Sequence, residues 1–135
     1  MTTTPLRTVM LIDDNDADNF FHGMMIERAG LASELLVFEW AEKALEWFRA
    51  HPDHTVDLIL LDINMPRMNG FEFLEHFHQL PAAQQADARV CMLSSSPLDS
   101  DRERAFAFPR VIDFIVKPLG DDFLSQLTSV CDIRR

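Results

Sequence analysis

The sequence predicts an α/β fold in which a doubly wound sheet of five parallel strands lies between layers of helices. Three observations predict it. Five short apolar runs alternate with five longer segments of helical character, a pattern typical of βαβ units. Three of the runs are apolar at nearly every position, as strands are when helices cover both faces of a sheet. The length of 135 residues and the hydrophobic fraction of 47% suit one domain with a filled core.

The first strand, the first helix and the second strand are predicted at residues 6–12, 16–29 and 35–39. Both strands are short apolar runs. The helix between them reaches Gly30, which is well placed to end it because glycine readily takes the left-handed conformation of helix termini.

The second helix, the third strand and the third helix are predicted at residues 41–49, 56–61 and 70–79. Apolar side chains recur at helical spacing in both helices and would form their buried faces. The strand between them is apolar except at Asp57. Pro81 ends the third helix because proline lacks the amide hydrogen that a helix interior requires.

The rest of the chain contains the fourth strand at residues 88–93, the fourth helix within 98–106, the fifth strand at 111–116 and a last helix at about 121–133. The segment Phe108-Pro109-Arg110 separates the fourth helix from the fifth strand. Apolar residues at helical spacing indicate the last helix.

Charge and composition exclude several classes of function. The net charge of −10, from 22 acids against 12 bases, argues against binding to nucleic acid or to anionic membranes, although solubility alone also accounts for it. The chain has no secretion signal and no apolar run of about 20 residues. No membrane insertion is therefore expected. Cys91 and Cys131 are far apart in the sequence, so both are expected to be reduced thiols in a cytoplasmic protein. The five histidines form no ligand set and are interpreted as surface residues.

Charged residues follow three of the predicted strands at the point where each strand ends. Asp13 and Asp14 follow the first, Asp62 follows the third, and Lys117 follows the fifth. Right-handed crossovers place the carboxyl ends of parallel strands at one edge of the sheet, where α/β proteins bind ligands. The sequence therefore predicts that three acids and one lysine meet in a site for a divalent metal such as Mg²⁺, with a carboxylate nucleophile beside a cation.

Each of these residues also has an ordinary structural interpretation. Asp13 and Asp14 would suit a helix N-terminus, and Asp62 would suit the start of a turn. Lys117 would then form a surface salt bridge. The metal site is favoured because Asn15 is also a cap candidate and because three unpaired acids would repel one another.

Two further features lie at the same predicted edge. Ser94, Ser95 and Ser96 follow the fourth strand and offer hydroxyl groups to an anionic oxygen, although a serine here can also cap the next helix. The segment from Met65 to Gly70 is predicted as a tight loop, with a positive φ at Gly70.

Together, the motifs of this chain resemble the receiver domain of bacterial two-component response regulators, the CheY-like superfamily. The resemblance implies a flavodoxin-like (βα)5 fold with the strand order 2-1-3-4-5. The motifs follow the family's order over almost the whole chain. They are Leu11-Ile12-Asp13-Asp14, Leu60-Leu61-Asp62-Ile63-Asn64-Met65-Pro66, Asn69-Gly70, Leu93-Ser94 and Val116-Lys117-Pro118.

The resemblance implies a role for each residue of the predicted site. Asp62 matches the phosphoacceptor, and Lys117 matches the family's lysine. Asp14, Asp62 and the backbone carbonyl of Asn64 match the Mg²⁺ ligands, with Asp13 acting mainly through water. Mn²⁺ can take the place of Mg²⁺ in such a site.

Two residues match the family's switch. Ser94 matches the hydroxyl that senses the phosphoryl group, and Phe114 matches a rotating aromatic residue that is commonly tyrosine. The chain contains no tyrosine, so this switch lacks the phenolic hydroxyl. The distance from Ser94 to Lys117 (117 − 94 = 23 residues) is one longer than is common, and counting back from the lysine favours Ser95. The segment Phe108-Pro109-Arg110 also departs from the Gly-Ala that often precedes the fifth strand.

The resemblance implies a single-domain response regulator over residues 1–135, without an output domain. It would accept a phosphoryl group from a histidine kinase or a histidine phosphotransfer protein and would signal to an unknown downstream protein. On the first helix, Asn19, His22 and Met25 are candidates for an exposed kinase-docking face. The chain is not expected to be an enzyme.

Two other functions stay open. A phosphatase of the haloacid dehalogenase type also uses an aspartate and Mg²⁺ on an α/β sheet. It normally has a second acid two residues after the nucleophile, where this chain has Asn64. An adaptor could keep the receiver fold without phosphorylation, although the sequence has lost neither the acids nor the lysine.

Overall fold

The structure, a computed structural model, describes residues 6–95, 98–117 and 120. Its strands form one parallel sheet with the order β2-β1-β3-β4-β5, which confirms the predicted doubly wound fold. The strands are β1 Leu6–Ile12, β2 Ala32–Phe38, β3 Val56–Asp62, β4 Arg89–Ser94 and β5 Val111–Val116. The helices are α1 Asp16–Ala29, α2 Ala41–Ala50, α3 Gly70–Gln79, α4 Ala82–Gln85 and α5 Asp99–Phe106.

Apart from shifts of one residue at several element ends, the structure differs from the predicted elements in two places. β2 begins at Ala32, three residues earlier than predicted, because an edge strand tolerates the polar residues that interrupt its apolar pattern. The single turn of α4 was not predicted, since four residues carry no helical period. The predicted helix at 121–133, Cys131 and Pro118 lie outside the described residues. Within the described residues, no helix is long and apolar enough to cross a membrane.

The core has two layers, one on each face of the sheet. Ile59 and Leu61 of β3 lie in the cluster that α2 and α3 cover, whereas Leu58 and Leu60 lie in the cluster on the α1 face. All seven residues of β3 are buried. Because burying one such side chain stabilises the fold by about 1.5–3 kcal/mol, β3 is firmly held, and Asp62 is its last residue.

The one acid inside β3 has a structural role. Asp57 is buried, and its carboxylate accepts hydrogen bonds from the backbone and the side chain of Arg7, with the shortest at 2.6 Å. A buried carboxylate requires such a partner, because an isolated charge in the core costs several kcal/mol. Asp57 therefore joins β1 to β3 at their amino ends, away from the acids that follow the strands.

Three of the five histidines are not surface residues, so that prediction was wrong for them. His22 is buried, and His54 and His78 are half-buried. In His54 both ring nitrogens are paired: Nδ1 accepts a hydrogen bond from the Val56 amide, and Nε2 contacts the Gln84 carbonyl at 2.6 Å. A neutral imidazole whose two nitrogens both find partners can be buried at low cost.

The unusual segment before β5 supports the loop that leads into β4. Arg110 donates hydrogen bonds to the Gln85 side chain (2.8 Å) and to the carbonyls of Ala86 (2.7 Å) and Ala88 (3.1 Å). Ala86 has φ 54° and ψ −132°, a conformation that glycine adopts more easily than alanine. The arginine therefore holds a strained turn in place.

Replacing the strained alanine by glycine is expected to stabilise the protein. Ala86→Gly relieves about 1–3 kcal/mol of backbone strain and loses about 0.5–1 kcal/mol through the added freedom of the unfolded chain. We expect the free energy of unfolding to rise by about 1 kcal/mol in urea denaturation. Ala50→Gly, at the end of α2, is the control and should lower it. Equal losses in both variants would show that the Ala86 turn is unstrained.

Candidate functional site

The predicted site residues lie at one edge of the sheet. Asp13 follows β1 directly, Asp62 ends β3, Ser94 ends β4 and Lys117 follows β5. The register of the sheet places the ends of neighbouring strands side by side: Asp62, the last residue of β3, pairs with Leu93 of β4. The parallel arrangement therefore gathers side chains that are as much as 104 positions apart in the sequence.

Three acids of this edge are close enough to bind one cation. One carboxylate oxygen from each of Asp13, Asp14 and Asp62 lies within 4.8 Å of the other two. Asp13 and Asp62 are buried, and Asp14 is exposed. Hard divalent cations such as Mg²⁺ prefer oxygen ligands and keep several waters, which an exposed third ligand permits. The donor set therefore fits Mg²⁺.

The electrostatics of Asp62 fit a cation in the same way. Burial, together with the nearby charges of Asp13 and Asp14, raises the pKa of Asp62 to about 6, although the hydrogen bond from Lys117 lowers it. Carboxylates that lie this close together disfavour one another's ionised forms. A cation bound between them removes this repulsion and stabilises the ionised acids.

Lys117 is in contact with three carboxylates. Its Nζ lies 2.7 Å from Asp13 Oδ2, 2.8 Å from Asp18 Oδ2 and 3.0 Å from Asp62 Oδ1. Burial lowers the pKa of Lys117, but the hydrogen bonds to these three acids outweigh it and raise the pKa above its ordinary value. The predicted contact between Lys117 and Asp62 is confirmed. Asp18 was not predicted, because an acid in the first turn of a helix is ordinarily explained by the helix dipole.

The start of α1 fixes Asp13 in the site. Asn15 is the N-cap of the helix, and its side chain accepts a hydrogen bond from the Asp18 amide at 2.9 Å. The Asn15 amide donates to Asp13 Oδ1 at 3.0 Å, and the Asn19 side chain donates to the Asp13 carbonyl at 2.7 Å. Asn15 therefore caps the helix, which leaves Asp13 and Asp14 available for the site, as predicted.

The loop after Asp62 closes through Gly70, but the predicted positive φ at Gly70 is wrong. The positive φ belongs to Arg67, at 72°, and the only glycine with a positive φ among the described residues is Gly30. A Cβ at Gly70 would lie 2.5 Å from the Asp62 carbonyl oxygen. The Gly70 amide also donates a hydrogen bond to the Ile63 carbonyl at 2.9 Å. Gly70 is therefore needed for the close approach of α3 to the end of β3.

The residues matched to the switch lie deeper than the acids. Ser94 is buried, Ser95 is exposed, and Ser96 lies outside the described residues. The Ser94 carbonyl accepts a hydrogen bond from the Lys117 amide at 2.9 Å. Phe114 is 6% exposed and packs in the core cluster below α3 and α5.

The predicted docking residues of α1 are not exposed. Asn19 and His22 are buried, and Met25 is half-buried, so the expected exposed face is wrong. Polar residues on the inner face of α1 hide its helical period, which is why the sequence pattern misplaced the face. The exposed large apolar side chains of α1 are Phe20, with 74% exposure, and Phe21, with 39%.

The sequence matches the family described as the response regulator receiver domain over residues 9–129. It is 30% identical over 120 residues to the signal transduction histidine-protein kinase BarA of Escherichia coli K12, covering 89% of this chain. It is 32% identical over 113 residues to the cyclic di-GMP phosphodiesterase response regulator RpfG of Xanthomonas campestris pv. campestris, covering 82% of this chain. The chain spans 12% and 28% of the lengths of these curated relatives.

Solved structures agree with the sequence comparison. A two-component response regulator from Cytophaga hutchinsonii superposes with a TM-score of 0.88 at 28% identity, covering 96% of this chain and 99% of that one. A response regulator receiver protein from Dyadobacter fermentans superposes with a TM-score of 0.81 at 34% identity, covering 93% and 98%.

Proposed function

The chain belongs to the response regulator receiver domain family, and from that premise we propose that it accepts a phosphoryl group on Asp62 and signals through a protein surface that changes with phosphorylation. The observation that carries the proposal is the set of contacts around Asp62: a carboxylate at the end of a buried strand, 3.0 Å from the ammonium of Lys117 and within reach of two further acids.

Asp62 supplies the nucleophile. One carboxylate oxygen attacks the phosphorus of a phosphohistidine in line, forming an O–P bond as the N–P bond breaks, and the electron pair stays on the imidazole, which takes up a proton. A metal ion such as Mg²⁺ or Mn²⁺, held by Asp13, Asp14 and Asp62 with the backbone carbonyl of Asn64, would supply positive charge for the phosphoryl oxygens.

Lys117 stabilises the charge that the phosphoryl oxygens carry. Its ammonium is already beside Asp62, so little motion is required before it contacts the transferred group. The pKa of Lys117 is raised, so it is fully protonated at neutral pH. Catalysis of the transfer is then mainly positioning and electrostatics, as is usual for phosphoryl transfer.

Ser94 and Phe114 form the switch in this proposal. A hydroxyl on Ser94 can donate a charge-assisted hydrogen bond to a phosphoryl oxygen, which draws the end of β4 inward. Phe114 pairs with Met92 of β4, so a shift of β4 changes the space around its ring. Ser94 is buried at the end of β4, whereas Ser95 is exposed, and this supports Ser94 over Ser95 as the switch hydroxyl.

The phosphoryl donor would be a histidine kinase or a histidine phosphotransfer protein, and the output would be an unidentified protein target. The net charge of −10 argues against nucleic acid as a partner. That residues 1–135 form one receiver domain and that the protein is cytoplasmic stay predictions. We also propose that the chain is not an enzyme with turnover. A dehalogenase-type phosphatase has a second acid two residues after the nucleophile, and this chain has the exposed Asn64 at that position.

The test of the function is phosphoryl uptake from a small donor. Incubation with phosphoramidate and Mg²⁺ should add one phosphoryl group per chain, detected by intact mass, and Asp62 should carry it. Small phosphoesters should not be hydrolysed at a steady rate. Metal binding without any uptake would instead favour an adaptor that keeps the fold alone.

Docking of the protein donor is expected to depend on Phe20. This ring is 74% exposed and lies just after the first turn of α1, the turn that contains Asp18. Exposed aromatic side chains often anchor interfaces. Phe20→Ala should slow phosphotransfer from a histidine kinase or phosphotransfer protein about tenfold, because truncating such an anchor costs about 1–2 kcal/mol. Uptake from phosphoramidate should be unchanged. Phe106→Ala, at the end of α5, is the control, and equal effects of the two variants on the protein donor would remove Phe20 from the interface.

A further inference from the structure

We infer that Asp18 is a positioning residue of the phosphorylation site, whose carboxylate holds the ammonium of Lys117 beside Asp62. The inference rests on the proposed function. It assigns a role to an acid that lies outside the residues matched to the family's motifs.

The contacts of Lys117 are the first step. An ammonium group has three N–H donors, and three carboxylate oxygens lie within 3.0 Å of Nζ, those of Asp13, Asp18 and Asp62. The Lys117 side chain is only 11% exposed, so water has little access to it. Asp18 therefore accounts for one third of the hydrogen bonds that hold this ammonium.

Asp18 differs from the other two partners because it lies outside the acidic cluster. Among the residues that the structure describes, the cluster that can hold a metal ion consists of Asp13, Asp14 and Asp62. A divalent ion would draw on oxygens of Asp13 and Asp62, both of which Lys117 also contacts. Asp18 is then the one carboxylate that the lysine does not share with the ion.

The position of Asp18 is fixed before any ligand arrives. Its amide donates to the Asn15 side chain at 2.9 Å, so the N-cap holds the backbone of this residue. Its Oδ2 reaches Lys117 from α1, whereas Lys117 extends from the end of β5. The lysine has a long flexible stem, and a fixed second anchor removes orientations in which the ammonium leaves Asp62.

The experiment compares two variants that remove the same charge from the same helical turn. Asp18→Asn keeps the shape of the side chain but loses the ion pair with Lys117. Asp16→Asn removes a carboxylate that is exposed and that interacts with Glu39. Both variants remove one negative charge from the first turn of α1, so their difference reports on the contact between Asp18 and Lys117.

Two measurements are made on each variant. The first is the rate of phosphoryl uptake from phosphoramidate at saturating Mg²⁺, which we expect Asp18→Asn to slow about fivefold relative to Asp16→Asn. The second is acylation of the two lysines of the chain by an amine-reactive reagent, mapped by mass spectrometry. Lys43 is exposed and serves as the internal reference. In Asp18→Asn the reactivity of Lys117 relative to Lys43 should rise severalfold, and in Asp16→Asn it should stay at the wild-type value.

Each outcome decides the inference. A slower uptake and a more reactive Lys117 in Asp18→Asn alone support it. Equal uptake rates in the two variants overturn it, whether or not Lys117 becomes more reactive. If the wild-type chain takes up no phosphoryl group, the proposed function fails, and the acylation measurement still shows whether Asp18 holds the lysine: an unchanged Lys117 in Asp18→Asn then overturns that as well.

Discussion

Asp62→Asn is expected to abolish phosphoryl uptake from phosphoramidate. The amide oxygen of asparagine is a far weaker nucleophile than a carboxylate, so the rate should fall by more than about a hundredfold. Asparagine has nearly the same shape, and the buried end of β3 can accommodate it without a cavity. The loss would therefore report on the chemistry of the side chain, with the fold retained. Intact mass after a fixed incubation with Mg²⁺ and the donor measures it directly.

Asp53→Asn is the matched control for this result. Asp53 is exposed and precedes β3, at the opposite edge of the sheet from Asp62. The same change of a carboxylate to an amide there should leave uptake at the wild-type rate. Stoichiometric uptake by Asp62→Asn would place the acceptor on another side chain and contradict the proposed function. A loss in both variants would point to a general effect of charge.

The sequence was sufficient to predict the position of Asp62 because two strong signals coincide there. β3 is apolar at almost every position, so its identity as a buried central strand was clear. Parallel strands end at a common edge, so the acids after β1 and β3 had to be neighbours once the topology was known. Charge and strand pattern together are therefore enough to locate Asp13, Asp62 and Lys117.

The helix α1 shows what the pattern could not predict. Its buried face includes Asn19 and His22, two polar residues whose burial depends on contacts that appear only after folding. The Asn19 side chain donates to the Asp13 carbonyl, a contact between the helix and the end of β1. Asp18, which precedes Asn19, forms an ion pair with Lys117, a residue 99 positions away in the sequence. No local period encodes such a contact, so the docking face and the third partner of Lys117 were both missed.

Gly70→Ala is expected to destabilise the protein and to disturb the site together. An added Cβ would lie 2.5 Å from the Asp62 carbonyl oxygen, 3.1 Å from Ile63 Cα and 3.2 Å from Met92 Cε. The methionine can move, but the first two contacts are with backbone, so α3 must shift away from β3. We expect the free energy of unfolding to fall by about 3 kcal/mol, measured in urea, from the overpacking and the weakened hydrogen bond between Gly70 and Ile63.

The effect of this variant on the site is separable from its effect on stability. Gly30→Ala is the control, because Gly30 has a φ of 63° with no atom within 4 Å of an added Cβ. It should lower the stability by about 1 kcal/mol through backbone strain alone and leave Mg²⁺ affinity unchanged in calorimetric titration. Gly70→Ala should weaken Mg²⁺ binding about tenfold, since a shift of the loop moves a carboxylate out of place. If Gly70→Ala cost no more stability than Gly30→Ala, the backbone at the end of β3 would be free to adjust. Asp62 would then owe its position to the ion pair with Lys117 and not to the packing of α3.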